Sequence, residues 1–386
     1  MNLKIYEKIL LSNFSTFKIG GLARFFALPK NTEQIFEAID FCQKKSLKPI
    51  FFGSGANILF PDKVDDSYFF ISLRNLVDFE FYNEKLSLSS GFPISLLPFL
   101  SSIFLLQDNL SFLYLLPGTI GAATYINVRY DSFDIGPFLS KIIYLDLENL
   151  KISEIEGKNA EFSYKSSIFQ KKNWIILQVI IDKDSFNKEN FFKDFFSKDN
   201  FKKISFQKNF KDENKIDSPN NVKLEKYLTK KLNSDEMQKI FIEQKNLAFK
   251  TIKNESDLKK FYKIYGLKYI KKNLGKSFNL LSEKTFKQIE KIEDYRISKN
   301  HFIYPSCGSV FKNNYQFGTA TGALVDKLGL KGFRHNDAQI APYHGNIIIN
   351  TGKAKASDVF YLVQFVQEKI YKNFGFVPEP EIIILR

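Results

Sequence analysis

The sequence predicts an α+β fold, and three patterns along the chain indicate it. The first 65 residues alternate strand-like and helix-like patterns. Short apolar runs separated by turns then extend from residue 68 to about residue 181, as in a series of strands. Near the carboxyl end a helical period precedes a final apolar run. At 386 residues, 44% of them hydrophobic, the chain is long enough for two or three domains with large cores and is not a disordered protein.

The amino-terminal part combines one helix with two short strands. Asn31 and Gln34 have the capping-box spacing that begins a helix. One face of this helix is apolar and consists of Ile35, Ala38, Ile39 and Cys42. The run 48–52 reads as a strand that leads into a glycine-bearing loop, and residues 58–60 read as the next strand.

The carboxyl-terminal part predicts a long helix followed by a strand. Ser357 and Asp358 are typical of a helix start, and Gly375 is typical of a helix end. Between them the apolar positions keep a 3.6-residue period: Val359, Leu362, Val363, Val366 and Ile370. Residues 382–385 are the predicted closing strand.

The net charge of +14 is concentrated in one segment. Residues 183–300 carry 29 basic and 17 acidic side chains, whereas the rest of the chain carries 27 and 25. A basic segment can bind nucleic acid or an anionic membrane. Lysines mixed with acidic residues are more often a solvated helical face, and no nucleic-acid-binding motif is present. We therefore interpret residues 183–295 as a Lys-rich, helical insertion of unassigned role and do not expect it to bind nucleic acid.

Several protein classes are excluded or disfavoured. The longest apolar run, residues 92–106, is broken by Pro93 and Pro98, so we predict no membrane span. The amino terminus has no signal-peptide pattern. Two cysteines, Cys42 and Cys307, and three histidines are a poor set of zinc ligands. The expectation is a soluble, cytoplasmic protein without a metal site, and the sequence does not indicate its oligomeric state.

Two glycine-bearing loops are candidates for binding phosphate. Residues 53–57 lie between two predicted strands, where glycines permit a positive φ and consecutive N–H groups can surround an anion. Residues 117–123, followed by Asn127, combine small residues with a possible helix N-terminus. Neither loop matches the P-loop or the dinucleotide-binding fingerprint. Taken singly, each loop is more often an ordinary turn.

Three further stretches carry reactive or charged groups. Residues 164–167 place a lysine before an apolar strand, residues 305–311 place Ser309 on a tight turn, and Glu381 enters an otherwise apolar closing stretch. By itself each has an ordinary interpretation: an exposed lysine, a turn serine and an edge-strand glutamate.

In their order along the chain, these pieces resemble the UDP-N-acetylenolpyruvoylglucosamine reductase (MurB) family. The chain has Thr16 and the Gly20–Ala23 segment of the family's first motif, followed by both glycine loops. The later motifs are found at residues 164–167, 308–313 and 329–332, at His344, Asn346 and Asn350, and at Glu381. This ordered series of motifs is far more specific than any single glycine loop.

The resemblance implies an FAD-binding fold of the vanillyl-alcohol-oxidase type with a carboxyl-terminal α+β substrate domain. The first FAD-binding subdomain would comprise residues 1–67 and 378–386, and the second would comprise residues 68–182. The insertion would occupy residues 183–295, and the substrate domain residues 296–377.

The resemblance also implies a reaction and the residues that perform it. NADPH would reduce FAD, and the reduced flavin would reduce the enolpyruvyl group of a UDP-sugar to give UDP-N-acetylmuramate. Adding hydride to that double bond leaves negative charge beside a carboxylate, which requires nearby positive charge and a proton donor. Ser309 would be the donor, assisted by Glu381, with Lys165 as a third catalytic residue. Cofactor contacts would come from Gly53, Ser54, Gly55, Ala56, Asn57, Pro117, Gly118, Thr119, Gly121, Ala122 and Asn127. Substrate contacts would come from Tyr164, Lys312, Asn313 and His344.

The chain departs from the family pattern at several positions. Lys165 stands where the family has arginine, which keeps the charge but loses the planar fork of donors. Ala56 and Ala122 replace a serine and a glycine, and Val128, Arg129 and Tyr130 replace small residues. Two alternatives therefore stay open: a flavin-binding homologue without turnover, and a different flavin oxidoreductase of the same superfamily. The motifs do not distinguish NADPH from NADH.

Overall fold

A computed structural model of the chain describes residues 2–105, 109–130, 133–182, 266–274 and 281–385. Most of the predicted Lys-rich insertion, residues 183–265 and 275–280, lies outside these ranges. The helices are α1 (Thr32–Lys45), α2 (Leu97–Leu105), α3 (Ile120–Tyr125), α4 (Leu267–Leu274), α5 (Glu283–Ser298), α6 (Thr321–Lys327) and α7 (Ala356–Phe374).

Within the described ranges, the strands form three larger sheets and two short pairs. In chain order they are β1 (Ile5–Leu10), β2 (Leu22–Ala27), β3 (Lys48–Phe52), β4 (Ile58–Leu59), β5 (Tyr68–Ser72), β6 (Phe79–Tyr82), β7 (Lys85–Ser89), β8 (Arg129–Tyr130), β9 (Phe133–Asp134), β10 (Lys141–Asp146), β11 (Lys151–Glu156), β12 (Trp174–Asp182), β13 (Ser306–Ser309), β14 (Arg334–His335), β15 (Ala338–Ile340), β16 (Ile347–Asn350) and β17 (Ile383–Ile384).

The first sheet has the order β1-β2-β5-β3, and α1 packs on it. Asn31 caps α1 by accepting the Gln34 N–H at 3.0 Å, as predicted. The Gln34 side chain, however, accepts the N–H of Lys30 instead of closing the capping box on Asn31. The predicted apolar face is confirmed, because Ile35, Ala38, Ile39 and Cys42 are buried. Burying this face against the sheet stabilises the helix.

The second sheet is antiparallel, with the order β11-β10-β12-β7-β6. One of its faces is covered by α2, whose nine residues are all buried and whose leucine, isoleucine and phenylalanine side chains join the apolar core of this sheet. A helix that is apolar all round belongs in a core or a membrane. None of the helices in the described ranges has the length and apolar character needed to cross a bilayer.

Helix α5, which contains the end of the predicted insertion, packs against the core of the second sheet. Ser111 donates to the Gln288 side chain at 2.7 Å, and the Tyr114 hydroxyl donates to Glu293 Oε2 at 2.7 Å. Ile289 is fully buried in the same core. The predicted boundary at residues 295 and 296 therefore falls inside a continuous helix, which belongs to the core and not to a separate excursion.

The third sheet has the order β13-β16-β15-β14 and packs against α7. Helix α7 begins at Ala356, not at the predicted Ser357–Asp358 pair. Asp358 lies in the first turn and accepts the Lys355 N–H at 2.9 Å, so it satisfies a donor from inside the helix. The predicted end at Gly375 is confirmed by its left-handed φ of 78°.

Two long-range contacts join the carboxyl end to the amino-terminal unit. Strand β17 pairs in parallel with β4, which confirms the predicted closing strand in a shorter form. Asp62 accepts the N–H groups of Ala356 at 2.7 Å and Ser357 at 3.0 Å. The carboxylate thus caps α7 from another part of the chain, where the helix dipole favours negative charge.

We expect Asp62→Ala to lower the free energy of unfolding by about 1–2 kcal/mol, because two N–H groups of α7 lose their partner. Chemical unfolding followed by circular dichroism measures the change. The matched control is Asp66→Ala, an exposed acidic residue in the same loop, for which a change within about 0.5 kcal/mol is expected. Equal effects of the two substitutions would show that the cap contributes nothing.

Candidate active site

A cavity of about 570 Å³ lies where the three units meet, a size typical of small-molecule sites. Most of the residues predicted for the site line it: Gly53, Ser54, Gly55, Ala56, Asn57, Pro117, Gly118, Thr119, Gly121, Ala122, Lys165, Ser309, His344 and Glu381. Four of the predicted residues, Asn127, Tyr164, Lys312 and Asn313, are not part of the wall.

The first glycine loop presents unused polar groups to the cavity. Gly55 has a φ of 67° and lies so close to Phe14 that a Cβ there would be 2.1 Å from its carbonyl oxygen. The Ser54 hydroxyl is buried and has no hydrogen-bond partner among the described residues. Within the same described ranges, the N–H groups of Ser54, Gly55 and Ala56 have no protein acceptor. Buried donors need partners, so this loop fits a bound polar or anionic ligand.

The second glycine loop is built differently from the prediction. Thr119 caps the short helix α3 by accepting the Ala122 N–H, and the N–H groups of Ile120 and Gly121 bond to the carbonyls of Phe92 and Ser90 at 2.9 Å each. The helix N-terminus therefore has its donors occupied by the protein. The prediction that this N-terminus faces an anion is wrong, and the loop contributes shape to the cavity instead.

The two glycine loops are in contact in the cavity wall, where Gly53 of the first packs against Thr119 and Ala122 of the second. A Cβ on Gly53 would lie 2.4 Å from Thr119 Oγ1 and 3.1 Å from Ala122 Cβ. Only a residue without a side chain allows this approach. The spacing of the two loops, and with it the width of the cavity, depends on Gly53.

Gly53→Ala is expected to weaken binding of FAD, the cofactor that the sequence resemblance implies, by about tenfold or more, because the added methyl group forces the two loops apart at a cost of about 1–3 kcal/mol. Titration of the apoprotein with FAD, monitored through the flavin fluorescence, gives the dissociation constant. Unchanged affinity would contradict the assignment of both loops to one ligand site.

Lys165 and Glu381 form a buried ion pair on the cavity wall. Lys165 Nζ lies 2.6 Å from Glu381 Oε1, and both side chains are only 11% exposed. Burial raises the pKa of Glu381, although Lys165 and Lys312 act in the opposite direction. The site therefore holds a carboxyl group whose proton affinity is increased, next to a fixed positive charge.

The backbone around the pair explains how two distant residues meet. Lys165 has a φ of 54° in a tight turn, where Ser163 and Ser166 bond to each other's backbone. The Glu381 N–H donates to the Val310 carbonyl at 2.7 Å, and its own carbonyl accepts the Asn57 side chain at 3.0 Å. Glu381 thereby links the first glycine loop to the segment that carries Ser309.

Ser309 ends strand β13 at an irregular point of its pairing with β16. The preceding Gly308 has a φ of 73°, and no atom lies within 4 Å of the position its Cβ would take. Asn346 holds the next residues in place, because its side chain bonds both the N–H and the carbonyl of Phe311. Ser309 is thus a half-buried residue of the cavity wall at the fixed end of a strand.

The four predicted residues outside the wall have structural contacts. The Asn127 side chain donates to the Ser163 carbonyl and accepts the Gly136 N–H, so both ends of its amide are engaged. Tyr164 accepts the Asn313 N–H at 3.0 Å, and the Asn313 side chain accepts the N–H of Thr321. Lys312 pairs with Glu379 at 2.6 Å. In this conformation the polar groups of these residues are engaged with neighbouring protein groups.

Several wall residues were not predicted. Ser90 has a buried hydroxyl without a partner among the described residues, and Arg129, Arg296 and His301 add polar groups. His301 is one of only three histidines, which is a weak signal; the serine has none in the sequence. Among the described residues, no cluster of three or more His, Cys, Asp or Glu is placed to hold a metal ion.

The end of the cavity near α5 holds two histidines whose rings lie 6.4 Å apart. Burial, followed by the nearby Arg296, His344 and Lys299, lowers the pKa of His301 to about 4. Burial also lowers the pKa of His344, whose Nδ1 accepts the Asn346 N–H at 3.1 Å. Both rings are neutral at pH 7, and His344 presents an Nε2–H donor.

We expect the imidazole NMR signals of His301 and His344 to titrate below the usual midpoint of about 6.5. The unfolded chain takes up these protons first as the pH falls, so the free energy of unfolding should decrease from about pH 6.5 towards pH 4. Single His→Gln variants assign the signals, which is practical with three histidines. Midpoints at or above the usual value would contradict the burial of these rings.

Comparisons with known proteins agree with this architecture. Residues 299–385 match the family model of the UDP-N-acetylenolpyruvoylglucosamine reductase C-terminal domain. The chain is 29% identical to the UDP-N-acetylenolpyruvoylglucosamine reductase of Treponema denticola over 381 residues, which covers 97% of this chain and 91% of the relative. It is 25% identical to the protein of the same name from Borrelia garinii over 385 residues, covering 100% and 94% of the two chains.

Over a shorter stretch, the chain has a higher sequence identity to another relative. Over 94 residues, 24% of this chain and 26% of the relative, the chain is 49% identical to the reductase of Treponema pallidum. The crystal structure of UDP-N-acetylenolpyruvylglucosamine reductase from Thermus caldophilus superposes with a TM-score of 0.60 at 17% identity and covers 100% of both chains. The predicted α+β fold is thus confirmed as the fold of that enzyme.

Proposed function

Because the chain belongs to the UDP-N-acetylenolpyruvoylglucosamine reductase family, we propose that it uses FAD and NADPH to reduce UDP-N-acetylglucosamine enolpyruvate to UDP-N-acetylmuramate. The observation that carries the proposal is the buried Lys165–Glu381 pair, which shares one cavity with Ser309 and both glycine loops. The product serves peptidoglycan synthesis, and through it cell-wall biogenesis, cell shape and cell division. We place the reaction in the cytoplasm.

The residues present fit a flavin. The first glycine loop offers the Ser54 hydroxyl and three N–H groups for a diphosphate, and Gly118 has a φ of 142° with one atom, 3.9 Å away, near the place of its Cβ. The loop at residues 117–122 lines the same cavity beside it. Bound there, FAD supplies the two-electron redox chemistry that protein side chains lack.

The remaining chemistry falls to side chains at the centre of the cavity. Ser309 donates a proton to the substrate carbon that does not receive hydride, and Glu381 helps to resupply that proton. Its raised pKa suits this role, because a carboxyl group with increased proton affinity exchanges protons closer to neutral pH. The Lys165 ammonium opposes the negative charge that builds up beside the substrate carboxylate.

The UDP-sugar is assigned to the part of the cavity that the carboxyl-terminal unit lines. His344 faces the cavity directly. Tyr164, Lys312 and Asn313 lie outside the wall: Tyr164 accepts the Asn313 N–H, and Lys312 pairs with Glu379. We propose that these four residues contact the substrate when it is bound.

The domain division follows from the contacts that join the elements. Pairing of β17 with β4 supports a first FAD-binding subdomain of residues 1–67 and 378–386. The antiparallel sheet and its core support a second subdomain of residues 68–182. A substrate domain of residues 296–377 agrees with the third sheet, although α5 extends the second core to residue 298.

Steady-state NADPH oxidation by the purified, FAD-loaded protein tests the proposal. Oxidation that requires the enolpyruvyl UDP-sugar, with UDP-N-acetylmuramate identified by mass spectrometry, would support it. A yellow protein that oxidises NADPH without forming this product would indicate a different flavin oxidoreductase. A yellow protein inert towards both compounds would indicate a flavin-binding homologue without turnover.

A further inference from the structure

Arg129 lies beside the turn that carries Lys165 and the loop that carries Tyr315. It belongs to the hairpin of β8 and β9, where it is paired in register with Asp134, and Arg129 Nη1 lies 3.4 Å from Asp134 Oδ2. Its guanidinium carbon lies 5.5 Å from the ring centre of Tyr164 and 5.6 Å from that of Tyr315. Both distances are within the range of cation–π attraction.

The two tyrosines come from different units and meet edge to face. Their ring centres are 4.8 Å apart, and the planes are inclined at 75°. Tyr164 directly precedes Lys165 in the tight turn, whereas Tyr315 lies on the loop after Asn313, whose N–H donates to Tyr164. The guanidinium is therefore a shared neighbour of the turn that carries Lys165 and of the loop that faces it.

Arg129 and Lys165 also form one electrostatic group. Lys165 Nζ is 3.5 Å from the Arg129 carbonyl oxygen, and both cations act on the Asp134 carboxyl. Two cations, Arg129 and Lys165, thus share the Asp134 carboxylate, and Lys165 also pairs with Glu381. A flexible lysine loses side-chain entropy when it is held in one geometry, so the neighbours that fix its turn determine how closely the ammonium stays on Glu381.

We propose that Arg129 is a positioning residue for the Lys165–Glu381 pair: its guanidinium joins the Tyr164 turn to the Tyr315 loop and so holds the Lys165 ammonium against the carboxylate. The inference rests on the proposed function for its effect on turnover, but the ion-pair geometry it concerns does not depend on the reaction. The two departures at positions 129 and 165 then act together, since the arginine side chain restrains the lysine that lacks a planar fork of its own.

The test compares Arg129→Gln with Arg129→Lys and with a matched control. The control is Lys171→Gln, which removes one positive charge from an exposed pair with Glu161, only six residues beyond Lys165. The first readout is the ionisation of Glu381, which is monitored by ¹³C NMR of labelled glutamate carboxyls. The Glu381→Gln variant identifies the Glu381 signal. The other charged or titratable groups that act on or respond to this carboxyl are Lys165, Lys312 and Tyr164.

In Arg129→Gln the titration midpoint of Glu381 should move to higher pH, because the ammonium stays near the carboxylate for less of the time while burial persists. In the active enzyme kcat should fall about tenfold, with KM changed less than about threefold. Arg129→Lys should recover only part of both effects, because an ammonium cannot stack on two rings as a planar guanidinium does. Lys171→Gln should behave as the wild type.

A Glu381 midpoint that is the same in Arg129→Gln and wild type would overturn the proposal, as would a variant whose only change is a higher KM. If the wild-type protein does not turn over the enolpyruvyl UDP-sugar, the proposed function fails. The NMR titration would still decide the role of Arg129 in that case. Bound-flavin absorbance and the melting temperature identify a variant that has not folded, and Arg129→Lys then serves as the milder change.

Discussion

Ser309→Ala is expected to lower the rate of substrate reduction by about 10²–10⁴-fold, the usual contribution of a positioned general acid. The methyl group cannot donate a proton, and Ser309 is the proposed donor on the fixed turn between Gly308 and the Asn346-held segment. The fold should survive, because a half-buried hydroxyl facing a cavity makes little packing contact. Stopped-flow absorbance separates the two half-reactions of the variant.

The half-reactions should respond differently. Bleaching of the flavin by NADPH should proceed near the wild-type rate, since no proton is needed from Ser309 in that step. Reoxidation by the enolpyruvyl UDP-sugar should slow by the full factor, and Ser309→Cys, which keeps an ionisable proton, should restore part of it. Equal slowing of both steps, or no slowing of reoxidation, would contradict the role of Ser309 as the donor.

Lys165→Met is expected to lower the free energy of unfolding by about 3–5 kcal/mol at neutral pH, since it leaves the Glu381 carboxylate buried without its cation. Burial already raises the pKa of this carboxyl above its ordinary value of 4.5, and losing the 2.6 Å contact raises it further. Turnover should fall as well, because the charge developing on the substrate loses the nearest ammonium.

The loss of stability should depend on pH in a defined direction. Below about pH 4.5 Glu381 is protonated in the folded and unfolded chains, so the substitution removes little charge–charge attraction. As the pH rises above this value, the unfolded chain ionises first and both folded proteins lose stability, but the loss continues to higher pH in the variant, because its Glu381 pKa is raised further. Chemical unfolding at several pH values measures the difference.

The double variant Lys165→Met with Glu381→Gln is the control for this prediction. It removes both charges, so most of the lost stability should return even though the site is inactive. A Lys165→Met protein as stable as the wild type at neutral pH would show that the two groups are not paired in solution.

Local signals in the sequence account for much of the fold. Helix α1 was predictable because Asn31 caps it from the adjacent position in the sequence and because its apolar residues repeat at helical spacing. Strand β3 and the end of α7 at Gly375 were predictable for the same reason, since the residues that decide them are close in sequence. The spacing of apolar residues and the helix caps depend on residues a few positions apart, so they can be predicted from the sequence.

Features decided by distant residues were misjudged. The start of α7 depends on Asp62, which is 294 positions away from Ala356, so the nearer Ser357–Asp358 pair misled the prediction. The predicted boundary at residues 295 and 296 lies within α5 for a related reason: this helix is charged on its exposed side, but its inner face contacts residues 177 and 179 positions earlier in the chain. The amino-acid composition of such a helix indicates that one side is exposed to solvent, but it does not indicate which core the other side packs against.

The candidate site divides in the same way. The glycine loops, Lys165, Ser309 and Glu381 were identified from motifs, and all of them face one cavity. The amide of Asn127 is used by the backbone of Ser163 and Gly136, an arrangement that only the folded chain reveals. Arg129 was noticed as a bulky departure, but its position between two tyrosines from separate units could not be read from the sequence.

Anaerobic mixing of the NADPH-reduced, FAD-loaded protein with UDP-N-acetylglucosamine enolpyruvate tests the central claim most directly. We predict that the visible flavin absorbance returns in a single turnover, with one UDP-N-acetylmuramate formed for each flavin reoxidised. Reduced flavin that persists in the presence of this substrate, in a protein that binds FAD and accepts electrons from NADPH, would contradict the proposed reaction.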